Sequence, residues 1–109
     1  MRRALILIGL AGFLMLGATM ARADDYVLTI KDHRFIPTEI KIPANKRVQI
    51  TVVNEDPTPE EFESHELNRE KVVTGKGTIP VYVGPLKPGR YPFFGDFHSD
   101  TAQGALIAK

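Results

Sequence analysis

The chain has 109 residues, with 14 Lys and Arg against 13 Asp and Glu, and it contains no Cys. This length fits one small domain. The nearly balanced charge lacks the basic excess that phosphate binding requires, so nucleic acid is excluded as a predicted partner. Without Cys the chain can form no disulfide and can offer no thiolate to a metal ion.

The first segment has the pattern of a secretory signal peptide. Met1-Arg2-Arg3 is basic, Ala4–Ala18 is almost entirely apolar, and Ala21-Arg22-Ala23 is a small-x-small cleavage site. The apolar run is short for a membrane-spanning helix. We therefore predict that residues 1–23 are a signal peptide and that residues 24–109 form the mature domain. The expected location is the bacterial periplasm, with no membrane insertion of the mature chain.

Cleavage would change both the charge and the sulfur content of the protein. Three arginines are lost with the signal peptide, which leaves 11 Lys and Arg against 13 Asp and Glu in residues 24–109. All three Met residues also lie in the removed segment. The mature domain would then carry a net charge of −2 and no sulfur atom. Soft metal ligands are therefore absent from it.

Short alternating segments separated by turn signals fill the mature domain. The clearest predicted strand is Arg47–Asn54, in which Val48, Ile50 and Val52 share one face. It is followed by a loop with two prolines, which cannot continue a strand ladder. The segment 32–37 is interpreted as a break between strands. The other predicted strands are residues 26–31, 39–43, 61–67, 70–73, 78–83, 90–94 and 104–108.

This pattern predicts an all-β antiparallel sandwich of about seven or eight strands. No amphipathic helix longer than one or two turns is evident. The aromatic residues near the end of the chain, Phe93, Phe94 and Phe97, are expected in the core.

Several motifs carry a resemblance to a known family. Tyr91–Ile107 reads as an aromatic strand, a polar loop that contains His98, and a final apolar strand. With the Glu-Phe-Glu-Ser segment at 61–64 and the Leu-x-Pro-Gly-x-Tyr segment at 86–91, it resembles the cupredoxin family. The resemblance covers essentially the whole mature domain and implies a Greek-key β-sandwich. Blue-copper members carry Cys, His and Met ligands here, but Gly95 replaces the Cys and Thr101 stands about where the Met would be.

Within this family the chain is most similar to the periplasmic cupredoxin components of bacterial iron-permease-associated, ferrous-iron transport systems. This resemblance implies binding of Fe²⁺, or assistance to its oxidation, before a ferric permease takes up the iron. The expected partners are therefore an iron permease and a periplasmic iron-binding protein. A ferroxidase-like accessory activity is an expectation from the resemblance alone.

The candidate metal ligands are carboxylates and imidazoles near the two loops that bind copper in the family. In blue-copper relatives the first His ligand follows the strand that ends in Asn, and Glu61 has roughly that position. Glu61 and His98 are therefore expected to converge. Nitrogen and oxygen ligands suit Cu²⁺ or iron, so the predicted cofactor is a copper ion, an iron ion or both. The full set of candidate ligands is His98, Glu61, Glu63, His65, Asp96 and Glu66.

Each candidate also has a purely structural interpretation. His98 could bond a backbone carbonyl, Glu61 could be a solvated carboxylate at a strand edge, and Asp96 could cap its loop. His33 is interpreted as a loop or packing residue, with a second, separate metal site as the alternative. In a strict strand Glu61 and Glu63 share a face with His65, opposite Phe62, and Glu66 is off that face.

The alternative function is a metal-free sandwich that docks on a membrane transporter. The feature that separates the two hypotheses is whether Glu61 and His98 come within common reach of one ion. A copper chaperone is disfavoured, because delivery of Cu⁺ requires Met or Cys.

Overall fold

The structure, a computed structural model, describes residues 25–109, and the predicted signal peptide lies outside them. These residues form nine strands and one 3₁₀ helix, Asp96–His98. No helix in this part of the chain is long and apolar enough to span a bilayer. The strands are β1 Asp25–Lys31, β2 Arg34–Ile36, β3 Glu39–Ile42, β4 Val48–Asn54, β5 Glu60–Ser64, β6 Arg69–Val73, β7 Thr78–Val83, β8 Gly89–Phe94 and β9 Gln103–Ala108.

The strands form two sheets that face each other. One sheet has the order β2-β1-β4-β7 and the other has the order β3-β9-β8-β5-β6. The predicted all-β sandwich is therefore confirmed. The strand count is higher than expected because residues 34–36, interpreted as part of a break, pair with β1 as β2. Two pairs, β1 with β4 and β3 with β9, are parallel rather than antiparallel.

Alternating side chains build the core between the sheets. β4 shows the pattern most clearly, because every second residue from Val48 to Asn54 is buried. Three aromatic rings fill the centre: the Phe35 ring lies 6.4 Å from Phe62 and 5.0 Å from Phe93, and Phe62 and Phe93 are 4.9 Å apart. Phe97 was also expected in the core, but it is 48% exposed because it lies in the 3₁₀ helix outside the sheets.

The buried side-chain amide of Asn54 forms hydrogen bonds to the loops at the end of β4. The Asn54 side chain donates from Nδ2 to the carbonyl oxygens of Thr58, at 2.9 Å, and Thr74, at 3.1 Å. Its Oδ1 atom accepts the backbone N–H of Asp56 at 2.9 Å. These bonds fix the loop between β4 and β5, and they hold the Asp56 side chain in its buried position.

Candidate metal centre

Three side chains from distant parts of the chain meet at one end of the sandwich. His33 comes from the turn between β1 and β2, Glu60 begins β5, and His98 ends the 3₁₀ helix. Glu60 Oε2 lies 2.6 Å from His33 Nδ1, and Glu60 Oε1 lies 3.1 Å from His98 Nδ1. One potential ligand atom from each residue lies within 4.8 Å of the others, so the group could hold one metal ion.

The backbone of a tight turn brings His33 to this group. Asp32 and His33 have φ values of 52° and 58°, and the flanking residues Lys31 and Arg34 are paired. Positive φ at both central residues is the requirement of a type I′ hairpin turn. The Asp56 carboxylate accepts the backbone N–H groups of Asp32, at 2.8 Å, and His33, at 3.0 Å. These bonds tie the turn to the β4–β5 loop and so position His33 beside Glu60.

Thr101 holds the same turn from the other side. Its hydroxyl donates to the carbonyl oxygen of His33 at 2.6 Å. The residue that stands about where the family resemblance puts a Met ligand therefore contacts the backbone of the turn that carries His33. The group is assembled by the β1–β2 turn, the β4–β5 loop and the β8–β9 connection together.

The electrostatics of the group centre on a carboxylate removed from water. Glu60 is only 1% exposed, whereas the side chains of His33 and His98 are 43% and 35% exposed. The hydrogen bond to Glu60 raises the pKa of His33, which favours its protonated form. Burial alone would raise the pKa of Asp56, but the backbone N–H groups of His33 and Asp32 outweigh it, and the pKa is lower than usual. An acidic environment therefore surrounds the two imidazoles.

The two imidazole rings are stacked. Their centroids are 3.6 Å apart and their planes differ by 17°. A metal ion bound to an imidazole nitrogen lies close to the plane of that ring. Because the two stacked ring planes are nearly parallel, no single position near both imidazoles lies in both planes. If both imidazoles bind one ion, at least one ring must therefore turn out of the stack.

A second group of carboxylates lies on the outer face of the same sheet. Glu61, Glu63 and Glu70 each offer an oxygen within 4.8 Å of the others. Glu61 is 4% exposed, and its Oε1 atom accepts the backbone N–H of Asp96 at 3.0 Å. Burial, opposed by the hydrogen bond from the Asp96 N–H and reinforced by the neighbouring Glu63 and Glu70, raises the pKa of Glu61 to about 7. This group contains only oxygen donors.

The family of the chain follows from comparison with known proteins. A model described as "Cupredoxin-like domain" matches residues 4–108. The chain belongs to the cupredoxin-like family. A protein of Rickettsia prowazekii, named as uncharacterized protein RP394, is 50% identical over 82 residues. That match covers 75% of this chain and 66% of the relative, so this cupredoxin-like chain corresponds to slightly less than two thirds of the relative's length.

Solved structures agree on the fold. Amicyanin from Paracoccus versutus aligns with a TM-score of 0.63 and 19% identity over 80% of this chain and 83% of amicyanin. Auracyanin A from Chloroflexus aurantiacus, described as a blue copper protein, gives a TM-score of 0.68 and 14% identity over 78% of this chain and 98% of auracyanin. At these identities the likeness concerns the cupredoxin fold alone.

A thiolate copper site of the blue type does not fit this cupredoxin-like chain. It has no Cys, and Gly95, at the position expected for the ligand, is crowded. A Cβ atom on Gly95 would lie 2.9 Å from the carbonyl oxygen of Glu61 and 3.1 Å from Cβ of Ala102. The donors that are present, two imidazoles and a carboxylate, instead fit Cu²⁺ or another ion that accepts nitrogen and oxygen ligands.

The structure separates the ligands predicted from the sequence. The His98 imidazole lies beside the Glu60 carboxylate, not beside Glu61 as expected. Side chains alternate along β5, so Glu60 points to the same side as Phe62, whereas Glu61 points to the opposite side. Glu61 and Glu63 remain together in the outer carboxylate group. Asp96 is exposed and approaches Glu61 through its backbone N–H.

The remaining two candidates belong to neither group, although His65 lines a cavity together with Glu63 and Glu70 of the outer group. His65 is exposed and its ring lies 5.4 Å from that of Phe94, and Glu66 is exposed in the turn after β5. Metal binding by any of the predicted residues stays a prediction.

The group of His33, Glu60 and His98 is called the inner group below. Two of its members, His33 and Glu60, were not predicted to bind the same ion as His98. Glu60 could have been found, because its side chain must point to the same side of β5 as Phe62. His33 was considered only for a separate site. Its sequence context, Lys-Asp-His-Arg, lacks the Asn-Gly or Asp-Gly signal of a type I′ turn, so the local sequence does not indicate how the turn is placed.

Proposed function

We propose that this cupredoxin-like domain binds a metal ion, Cu²⁺ or iron, through His33, Glu60 and His98 in the bacterial periplasm. The observation that supports this proposal is the buried Glu60 carboxylate, each oxygen of which faces the nitrogen of a different imidazole. A buried carboxylate is costly unless positive charge and hydrogen bonds compensate it. Without a metal ion, the raised pKa of His33 favours an imidazolium that supplies part of that charge. A divalent cation bound beside Glu60 would take the place of that proton.

Copper is the first candidate ion. Imidazole and carboxylate donors suit Cu²⁺, and similar structures include a protein described as a blue copper protein. Bound copper would supply one-electron redox chemistry. In this chain Glu60 would hold and orient the two imidazoles, and Asp56 would keep the turn of His33 in place. With no sulfur donor, the site would have spectral properties unlike those of a blue copper protein.

Iron would be the cargo of the proposed pathway. We propose that the domain serves an iron uptake system and hands iron to a ferric permease, either directly or through a periplasmic iron-binding partner. The outer group, in which Glu61 and Glu63 join Glu70, offers the hard oxygen donors that iron prefers. Anionic oxygen ligands stabilise Fe³⁺ more than Fe²⁺, because Coulomb energy grows with the charge product. Such a group would make Fe²⁺ easier to oxidise.

The proposal that the domain binds copper is tested by titration of chelator-treated protein with Cu²⁺. Binding is measured by calorimetry and by electron paramagnetic resonance. We expect one tight site with nitrogen hyperfine structure. His33→Ala and His98→Ala should each weaken binding by at least about 10- to 100-fold, which is the usual cost of losing a group that only supports a metal ligand. His65→Ala is the matched control and should bind like the wild type. If only His65→Ala loses affinity, the ion is bound near His65 and not by His33, Glu60 and His98, and the proposed copper site is wrong.

The proposal that the domain binds iron is tested by an anaerobic titration with Fe²⁺ and by a separate titration with chelated Fe³⁺. We expect Glu61→Gln to weaken iron binding while it leaves the Cu²⁺ titration unchanged, because Glu61 is not in the inner group. If neither ion binds above background, the domain is a docking module without metal chemistry. If copper binds and iron does not, the metal centre stands and the proposed iron role fails.

A further inference from the structure

A groove lies between the edges of the two sheets. Its walls are β6, an edge strand of one sheet, and β7, an edge strand of the other. The groove has a volume of about 740 Å³. The groove extends from Arg47 and Tyr82, near the start of β4, to Val72, which pairs with Glu61 of the outer carboxylate group. The lining residues are Arg47, Asn68, Arg69, Glu70, Lys71, Val72, Ile79, Pro80 and Tyr82.

The groove is positively charged on a protein that is otherwise slightly acidic. Arg47, Arg69 and Lys71 line it against a single carboxylate, Glu70. Neither Arg47 nor Lys71 forms an ion pair within residues 25–109. The residues that line the groove therefore carry an excess of positive charge, and their one carboxylate, Glu70, also belongs to the outer carboxylate group.

Two of the cations are already held in place. The Arg47 guanidinium lies over the Tyr82 ring, 4.6 Å from its centroid, in a cation–π contact. Arg69 spans the groove from β6 to β7, where Nε donates to the carbonyl oxygen of Tyr82 at 2.9 Å. Side chains that are positioned before binding lose less conformational entropy when a ligand arrives. This arrangement favours recognition of a specific anionic group.

Apolar side chains in the same groove are left in contact with solvent. Val72 is 54% exposed and Tyr82 is 41% exposed, and both are among the few large exposed hydrophobic residues of the described chain. Both walls are edge strands. The free edge of β6 presents backbone groups to which a further extended segment can pair, whereas on β7 the Tyr82 carbonyl already accepts Arg69 and Pro80 has no N–H. The five residues of β6 provide room for about four or five residues of such a segment.

We propose that this groove, between β6 and β7, binds an extended acidic segment of a partner protein. The acidic side chains of the segment would pair with Arg47 and Lys71, and its apolar side chains would pack on Val72 and Tyr82. A concave groove that combines three cations with exposed Val72 and Tyr82 fits a peptide strand better than it fits the flat surface of an anionic membrane, which normally attracts larger clusters of basic residues. This interaction would use none of the residues His33, Glu60 and His98, although the groove shares Glu70 with the outer carboxylate group.

The test is a titration of ¹⁵N-labelled protein with the peptide acetyl-Glu-Val-Glu-Phe-Glu-amide, followed by two-dimensional NMR. We expect shifts confined to β6, β7 and Arg47, and weaker binding as the salt concentration rises. The same peptide with Gln in place of every Glu should bind much more weakly. Arg47→Glu combined with Lys71→Glu should lower the affinity by at least about tenfold, because like charges now face the ligand. Lys41→Glu, an exposed charge reversal on β3, should have little effect.

A parallel titration uses phosphatidylglycerol vesicles in place of the peptide. Three results would overturn the proposal: no peptide-induced shifts in β6 and β7, equal binding of the Gln peptide, or shifts with the vesicles but not with the peptide. The last result would make the groove a membrane-contact surface. The salt dependence of the wild-type protein keeps the test informative even if the double variant does not fold.

Discussion

Replacement of Glu61 by Gln should remove a pH dependence of stability that the wild-type fold carries. Glu61 is 4% exposed, and its pKa is raised from 4.5 to about 7, first by burial and then by the neighbouring Glu63 and Glu70. Gln has nearly the same shape and cannot ionise. It therefore occupies the same space without the free-energy cost that the buried carboxylate incurs when it loses its proton.

The sign follows from proton linkage. Below pH 4.5 the Glu61 carboxyl is protonated in the folded and the unfolded chain, and its neutral form is accommodated at no electrostatic cost. As the pH rises from 4.5 through about 7, the unfolded chain gives up the proton first, and the folded state loses stability. At about 1.4 kcal/mol for each pKa unit, the full effect is about 3 kcal/mol. The raised pKa of His33 acts in the same direction, but it is common to the wild type and the variant.

The assay is urea unfolding of metal-free protein, followed by far-ultraviolet circular dichroism in buffers from about pH 5 to about pH 8. The quantity of interest is the difference in unfolding free energy between Glu61→Gln and the wild type. We expect this difference to grow in favour of the variant by up to about 3 kcal/mol across that range. Glu66→Gln, which removes an exposed carboxylate, is the control and should follow the wild type. If Glu61→Gln and the wild type lose stability in parallel, the reasoning is refuted.

Two further predictions concern the supports of the fold and the site. Asp56→Ala removes the acceptor of two backbone N–H groups in the β1–β2 turn, so we expect a loss of about 2–4 kcal/mol in urea unfolding and weaker Cu²⁺ binding. Unchanged stability would show that the turn does not depend on this carboxylate. Gly104→Ala would put a Cβ 2.6 Å from the Thr38 carbonyl oxygen and 2.7 Å from the Phe93 ring, so thermal unfolding should reveal a loss of about 1–3 kcal/mol. Gly89→Ala, whose nearest contact would be 3.6 Å, is the matched control, and an equal loss in both variants would contradict the steric argument.

Much of the fold could be predicted from alternation. The pattern of Val48, Ile50 and Val52 gave the correct inward face of β4, because a half-buried strand with a period of two has only one way to bury that row. The three-residue strand β2 was not predicted, since so short a segment shows no periodicity and depends on pairing with β1. The parallel pairs β1–β4 and β3–β9 involve segments that are distant in the chain, and local pattern does not determine such pairings.

The candidate site shows the same limit at the level of single residues. The sequence indicated a cluster of imidazole and carboxylate groups around His98, but the partner of His98 is Glu60, one residue from the predicted one. Glu60 is two residues from Phe62 on β5, so both side chains point to the same side of the strand, and this alternation would have identified Glu60. The place of His33 did not follow from its own neighbours. It depends on Asp56, 23 residues away, which binds the backbone of the turn.

The tight packing around Gly95 also bears on how this protein could change in evolution. A Cys introduced at this position would meet the backbone of β5 and the methyl group of Ala102. Either neighbour would need to shift before a thiolate could be accommodated here, so one substitution alone would not convert this chain to a protein with a sulfur ligand.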